Sequence, residues 1–298
     1  MSLTLAQVAT VFLERQGLAS STVYGYEITL GPFLERYGKY PIQTVTREMV
    51  ADYLNSRDSL HYTTHQRHQD IIQALFNFAL EQEYLEVNPI ARLKHRKPDP
   101  FKGEHRSDEI VRYLSPEKLK VLYELVAPNY RMNALVQLLH RTGARVGEIL
   151  ALDFDAVDFG ARKFQVIGKG NKSRWCFYSE DVATALAKYF KYDRHSEHPA
   201  LFTSQHPTTK KVNRLSYPTA YKEWKQICDR AEELKDARLH DLRHTFATER
   251  VGLMGIEELR ALMGHENIQF TLRYQKVTSS RAEEVAQKAL ATLNSSIP

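Results

Sequence analysis

Apolar residues in the first ninety positions recur at three- and four-residue spacing, the period of a helix with one buried face. Leu5, Val8, Phe12 and Leu13 form such a stripe over residues 4–16, and Gly17 ends it. Tyr26, Leu30, Phe33, Leu34 and Tyr37 form a second stripe, which Ser20 or Ser21 is placed to cap. Gly31-Pro32 predicts a kink or a late start there, because proline lacks an N–H and crowds the preceding turn. Thr46 is the expected cap of a third helix with Met49, Val50, Tyr53 and Leu54 inward. The longest runs from about Tyr62 to Glu83, its apolar face made by Ile71, Ile72, Leu75, Phe76 and Leu80. No strand period interrupts these stripes, so residues 1–91 read as a small all-α domain, closed by Asn88-Pro89.

The pattern then lapses. Residues 92–107 are proline-spaced, basic and nearly free of apolar side chains, which predicts a linker. Its cations, Arg92, Lys94, Arg96, Lys97, Lys102 and Arg106, face only Asp99 and Glu104 until Ser107, and make a candidate strap across phosphates. A second domain spans 108–298. Ser115-Pro116-Glu117 opens a helix with a capping hydroxyl, a first-turn proline and an acid at the positive end. Helices are expected at 116–127 and 131–142, with a break at Thr142-Gly143 and a short helix from Arg145.

The period next changes to that of strands at 156–159, 163–167 and 174–178, with turns at Gly160 and around Gly168-Lys169-Gly170. Ser179 is placed to cap a helix at 180–193; residues 194–216 read as irregular, and helices follow at 217–232, 239–251, 256–263 and 280–293. The predicted class is mainly α with a small antiparallel sheet, α+β, in two domains.

Composition narrows the partners. The chain has 298 residues, 43% hydrophobic and 26% charged, ample for a core in each domain. Its formal charge of +5 fits a polyanionic partner without demanding one. Cys176 and Cys228 form no CxxC pair, which favours a reducing compartment. Glu14 and Arg15 interrupt the first apolar run, unlike a signal peptide, and no run of 18 apolar residues is present. The expectation is a cytoplasmic protein that does not enter a membrane.

Candidate chemistry gathers in the second domain. Arg145 and Glu148 lie one turn apart; they read as an ordinary helical ion pair, or as a two-pronged phosphate donor with an orienting acid. Lys169 sits at a turn tip that lacks P-loop spacing, where a desolvated lysine can give up a proton. His240 and Arg243 share a helical face, which His244 does not obviously join; His265 follows Gly264 where a helix should end, favoured there by the negative dipole end. Tyr274 is one of 16 tyrosines, a poor nucleophile unless cations stabilise its phenolate. His61, His65 and His68 have metal-like spacing but no acidic or cysteine companions, and are expected, with Arg67, to face solvent or a polyanion. Asp153, Asp155 and Asp158 read as the solvent face around a strand start.

Taken in register, T-G-A-R-V-G-E-I-L from Thr142, G-K-G-N-K from Gly168, H-D-L-R-H-T-F-A-T from His240, L-M-G-H ending at His265 and T-L-R-Y ending at Tyr274 resemble the tyrosine site-specific recombinases of the phage-integrase family. The resemblance covers about residues 108–294. On weaker grounds, the first ninety residues look like the family's core-binding, SAM-like domain. It implies a catalytic set of Arg145, Lys169, His240, Arg243, His265 and Tyr274, with Glu148 as acidic accessory. It implies DNA cutting and rejoining through a 3′-phosphotyrosine, without metal or ATP and with no cofactor. The implied partner is double-stranded DNA carrying recombination sites. Arg92, Lys94, Arg96, Lys97, Lys102 and Lys172 are its candidate contacts. The implied assembly is a tetramer on DNA, joined through the C-terminal helix at 280–293. No arm-binding extension precedes residue 4, which favours a simple core-site system. A type IB-like topoisomerase and a non-catalytic architectural DNA binder remain alternatives at this point.

Overall fold

The computed structural model describes residues 3–104, 111–168 and 172–278. The chain divides into two compact units, residues 1–110 and 111–298.

The first unit is built from four helices, α1 (Leu5–Glu14), α2 (Ser20–Tyr37), α3 (Arg47–Asn55) and α4 (Tyr62–Glu81). Thr4 and Gln7 cap α1 reciprocally, and the Thr46 hydroxyl accepts from Met49 N to cap α3, satisfying otherwise orphaned donors. The late start considered for α2 does not occur: the helix begins at Ser20 and runs through Pro32. Leu30 and Phe33, fully buried on either side of it, hold both halves of α2 against the core, so packing outweighs the lost hydrogen bond. In α4 the buried face turns by one residue: Ala79 is buried and Leu80 exposed.

Two expectations for this unit are corrected. The histidines of α4 are not simply presented outward. His65 is buried with Nε2 3.1 Å from Leu54 O, and His68 Nδ1 lies 3.3 Å from the Tyr53 hydroxyl. Each thus spends a ring nitrogen on the protein. The stretch from residue 92 to 104 is also not a free basic strap. Gln69 donates to Leu93 O, and Arg96 donates to both oxygens of the buried Glu104 and to Leu60 O. Glu104 in turn accepts from the backbone N–H of Tyr62 and Asp99, so one carboxylate ties this segment to the start of α4. Arg92, Lys94, Lys97 and Lys102 remain exposed, and Arg106 lies outside the described residues.

The second unit contains α5 (Pro116–Val126), α6 (Tyr130–Thr142), α7 (Val146–Ala151), α8 (Glu180–Tyr192), α9 (Tyr217–Cys228), α10 (Asp241–Arg250), α11 (Ile256–Met263) and a single turn, α12 (Gln269–Leu272), followed by a 3-10 turn, Arg273–Thr278. Strands β1 (Val157–Asp158), β2 (Lys163–Ile167) and β3 (Ser173–Phe177) form an antiparallel sheet in that order, with Phe164 paired to Cys176 and Val166 to Arg174. A second hairpin, β4 (Thr203–Gln205) and β5 (Val212–Arg214), lies in the stretch expected to be irregular. Its strands are three residues long, too short to show alternation. Ser179 does not cap α8 through its side chain; its hydroxyl turns to Asp181 instead.

The main core surrounds α6, whose Leu135, Leu138 and Leu139 meet Phe164, Tyr189 and Trp224 among fully buried side chains. A smaller cluster gathers Phe246, Ala247, Val251, Leu259, Met263 and Tyr274 from α10, α11 and the final turn. No helix among the described residues is long and apolar enough to cross a membrane. The segment predicted as a helix at 280–293 lies outside the described residues.

Candidate active site

Two glycines create the site's frame. Gly143 follows α6 and Gly264 follows α11, both left-handed at φ +62° and +63°, the conformation that stops a helix and that glycine adopts without strain. Space adds a second reason. A β-carbon on Gly143 would fall 2.4 Å from the Phe246 ring, and one on Gly264 2.9 Å from the Arg174 side chain.

The ends of these two helices converge on Arg243. Its Nη1 donates to Gly143 O and its Nη2 to Met263 O, each at 2.5 Å. The residue is 3% exposed, and among the described residues no carboxylate lies within ion-pair distance. Burial, reinforced by repulsion from Arg145 and Arg174, lowers its pKa to about 10, so it stays charged at neutral pH. Carbonyls at two helix C-termini, each the negative end of a dipole, supply the compensation a carboxylate would otherwise give.

Arg145 lies just before α7. The Glu148 carboxylate accepts from Arg145 N at 2.7 Å and from its Nη1 at 2.9 Å. The other side of Glu148 is taken by Arg174 on β3, through Nη1 at 2.9 Å and Nη2 at 2.6 Å. Burial alone would raise the Glu148 carboxyl, but the bonds from Arg174 and Arg145 outweigh it and hold the pKa at about 2. Arg174 also donates to Leu262 O, tying the sheet to the end of α11. Arg145 keeps 38% of its side chain exposed. It lines a cleft of about 740 Å³ together with Gly168, Lys172, Arg174, His265 and Phe270.

The histidines do not act as cations here. His265 follows Gly264, and its Nδ1 lies 2.9 Å from the Thr271 hydroxyl. Burial and then Arg243 and Arg145 lower its pKa to about 3, overriding the charge that a helix C-terminus was expected to favour. His240 stands at the start of α10 with one face exposed, and desolvation followed by Arg243 lowers its pKa too. Among the described residues around Tyr274, the positive charge is therefore carried by guanidinium groups rather than by imidazoles.

Tyr274 is 2% exposed, in the turn after α12. Its ring stacks parallel to His265, centroids 6.5 Å apart. Burial raises its pKa, while Arg243 and Arg273 pull it back. Its hydroxyl lies 2.8 Å from Nδ1 of His244, the histidine that sequence reading left aside. One turn of helix places His244 beside His240, their rings edge to face at 4.8 Å, and that i, i+4 spacing was the available signal. Arg174 was also missed; a lone arginine in a short strand carries no such signal.

Of the residues named from the sequence, Arg145, Glu148, His240, Arg243, His265 and Tyr274 thus fall on converging elements of one unit. Lys169 lies outside the described residues, between Gly168 and Lys172, where Gly168 N donates to Lys172 O at 2.8 Å. Lys172 is exposed and pairs with Glu266 at 3.2 Å. Asp153 pairs with Arg214, and Asp158 accepts from Ala161 N, as surface acids at strand and turn.

Known proteins resemble this chain over most of its length. A tyrosine recombinase XerC of Staphylococcus haemolyticus is 25% identical over 270 residues, covering 85% of this chain and 86% of the relative. The Tn1549 transposon integrase, solved with a circular intermediate DNA, shares the fold at a TM-score of 0.72 and 20% identity, covering 92% of this chain and 95% of that one. The XerH site-specific recombinase bound to palindromic difH, a post-cleavage complex, superposes at 0.71 with 20% identity, covering 95% of this chain and 84% of that one. Residues 112–281, more than half of the chain, match the model of the phage integrase family. The chain belongs to that family, the tyrosine site-specific recombinases.

Proposed function

We propose that this protein cuts and rejoins DNA strands at specific duplex sites, with Tyr274 as the nucleophile and a 3′-phosphotyrosine as the intermediate. The observation that carries the reading is the neighbourhood of Tyr274: a phenol beside a buried arginine, Arg243, that has no carboxylate among the described residues. Such a charge suits a phosphate that arrives with the substrate.

In this reading Arg145 and Arg243 bind the non-bridging oxygens of the scissile phosphate and offset charge as phosphorus becomes five-coordinate. Glu148 and Arg174 hold Arg145 in place. Neutral His240 and His265 add hydrogen bonds. The Tyr274 oxygen bonds to phosphorus and gives its phenolic proton to neutral His240 as the P–O5′ bond breaks, and Lys169 protonates the leaving oxygen. The phosphotyrosine ester conserves the bond energy, so an incoming 5′-hydroxyl reverses the step without ATP. The first helical unit serves as the core-binding domain, the exposed Arg92, Lys94, Lys97 and Lys102 contact phosphates, and 280–293 joins subunits in a tetramer on DNA. The Tn1549 integrase and XerH structures, both complexes with DNA, support the choice of partner.

A pool of nicked duplexes with randomised cores tests the reading. Wild-type protein is expected to give an SDS-resistant protein–DNA adduct enriched for one sequence, and Tyr274→Phe to bind DNA without any adduct. An adduct that persists in Tyr274→Phe, or a wild type that binds the pool yet never forms one, overturns it.

A further inference from the structure

The hydroxyl of Tyr274 meets neither His240 nor His265 but His244. The 2.8 Å contact joins α10, which carries Arg243, to the turn that carries the tyrosine, thirty residues later in the chain. Tyr274 has a histidine on two sides: the His265 ring lies parallel to its own, at 7° with centroids 6.5 Å apart, and His244 meets its oxygen with its own ring 5.8 Å away and tilted by 45°. His240 presses edge-on against His244 at 88° and fixes that ring in turn.

We propose that His244 is the positioning residue for the nucleophile, accepting the phenolic hydrogen bond at Nδ1 so that the Tyr274 oxygen keeps one place relative to Arg243. The proposal rests on the reading of Tyr274 as nucleophile. Stacking on His265 restrains the plane of the phenol but leaves the ring free to slide. A hydrogen bond at the oxygen removes that freedom, and an ångström of displacement at a reacting atom slows reaction by about 100-fold. The role requires an uncharged imidazole with a lone pair on Nδ1. The groups facing His244 ensure this. Burial acts most strongly, and His240 and Arg238 just before α10, Arg243 on it and Arg273 from the tyrosine's turn add to it; all oppose a proton on the ring and hold its pKa at about 3.

The test compares single-turnover adduct formation at saturating nicked duplex, selected as above, for His244→Leu, His244→Asn and His244→Gln. The asparagine amide oxygen can occupy the place of Nδ1, whereas the glutamine oxygen reaches that of Nε2. His244→Leu is expected to slow adduct formation by about 10-fold or more with DNA affinity held within about twofold. His244→Asn is expected to recover to within about threefold of wild type, and His244→Gln to stay slow. A wild-type rate in His244→Leu overturns the proposal, and so do equal rates in the asparagine and glutamine variants. That second comparison stands even if the leucine variant does not fold. Tyr274→Phe separates the two readings. An adduct in that variant removes the nucleophile assignment itself, whereas no adduct there with an undisturbed His244→Leu removes only the role of His244.

Discussion

Each unit of this chain draws an arginine in from solvent, Arg96 half-buried and Arg243 buried, and the two are held in opposite ways. In the first unit Arg96 grips Glu104 through two nitrogens, and the carboxylate it meets is 3% exposed and further bound by two backbone N–H groups. Hydrogen bonds from Arg96 hold the Glu104 pKa at about 2. That charge is satisfied within the protein and has nothing left to offer a ligand. In the second unit Arg243 meets two helix-end carbonyls and no carboxylate among the described residues. Carbonyl dipoles are enough to keep a guanidinium folded inside, but they leave its net charge standing. A paired arginine fastens a segment; an arginine held by dipoles alone keeps affinity for an anion still to come.

The sharpest way to break this contrast is to strip the pairing from a charge that has it. Glu148 neutralises Arg174, whose side chain is only 9% exposed, and anchors Arg145. Glu148→Ala leaves a buried guanidinium uncompensated, and a loss of about 3–5 kcal/mol in unfolding free energy is expected in urea titrations. Next in size is the unpaired arginine. Arg243→Gln should reduce the rate of adduct formation by about 10²–10³-fold, the scale of removing a preorganised donor to transition-state charge. Its effect on stability should be smaller than that of Glu148→Ala, because glutamine leaves no buried charge behind. A reversal of that order in stability would mean the helix-end carbonyls depend on Arg243 as strongly as Arg174 depends on Glu148.

Acid should act on the paired charges in both units together. The folded pKa values of Glu148 and Glu104 are each held at about 2, below the ordinary carboxylate value of 4.5. A carboxyl lowered on folding contributes stability that is fully present above its unfolded pKa and is lost as pH falls through the folded one. Stability is therefore expected to be flat with respect to these two groups above about pH 4.5 and to decline between there and about pH 2. Glu148→Gln should flatten part of that decline, as read from denaturant midpoints across the range. An unchanged acid limb in that variant would show that Glu148 has the same pKa in folded and unfolded chains.

Much of this was legible from spacing. The apolar stripes placed four N-terminal helices, and Thr46 and Ser115 capped the helices they precede because a hydroxyl there meets free N–H groups. Motif order brought Arg145, His240, Arg243, His265 and Tyr274 onto one candidate site. What spacing could not supply was who touches whom across the chain. The partner of Arg96 lies eight residues away, inside the segment taken for a solvated linker, and composition is blind to a pairing within it. The lowered pKa of His265 was not legible because its helix end is local, whereas burial, Arg243 and Arg145 act on it only through folding. The place of His244 against Tyr274 depends on a turn that returns to α10 after thirty residues.

The smallest expected effect belongs to Lys172, and it sharpens the comparison from the surface side. Lys172 pairs with Glu266 at 3.2 Å, but the two side chains are 74% and 60% exposed, so the pair is screened and adds about 0–1 kcal/mol at most. Lys172→Ala should leave the unfolding free energy within about 0.5 kcal/mol of wild type. Because the lysine also lines the cleft with Arg145, it should nevertheless matter to DNA. The slope of log affinity against log salt should fall by about one unit, as one phosphate contact is lost. An unaltered slope would place the charge of Lys172 with Glu266 in the bound state as well, and would make it a second instance of Arg96, a cation already spent within the protein.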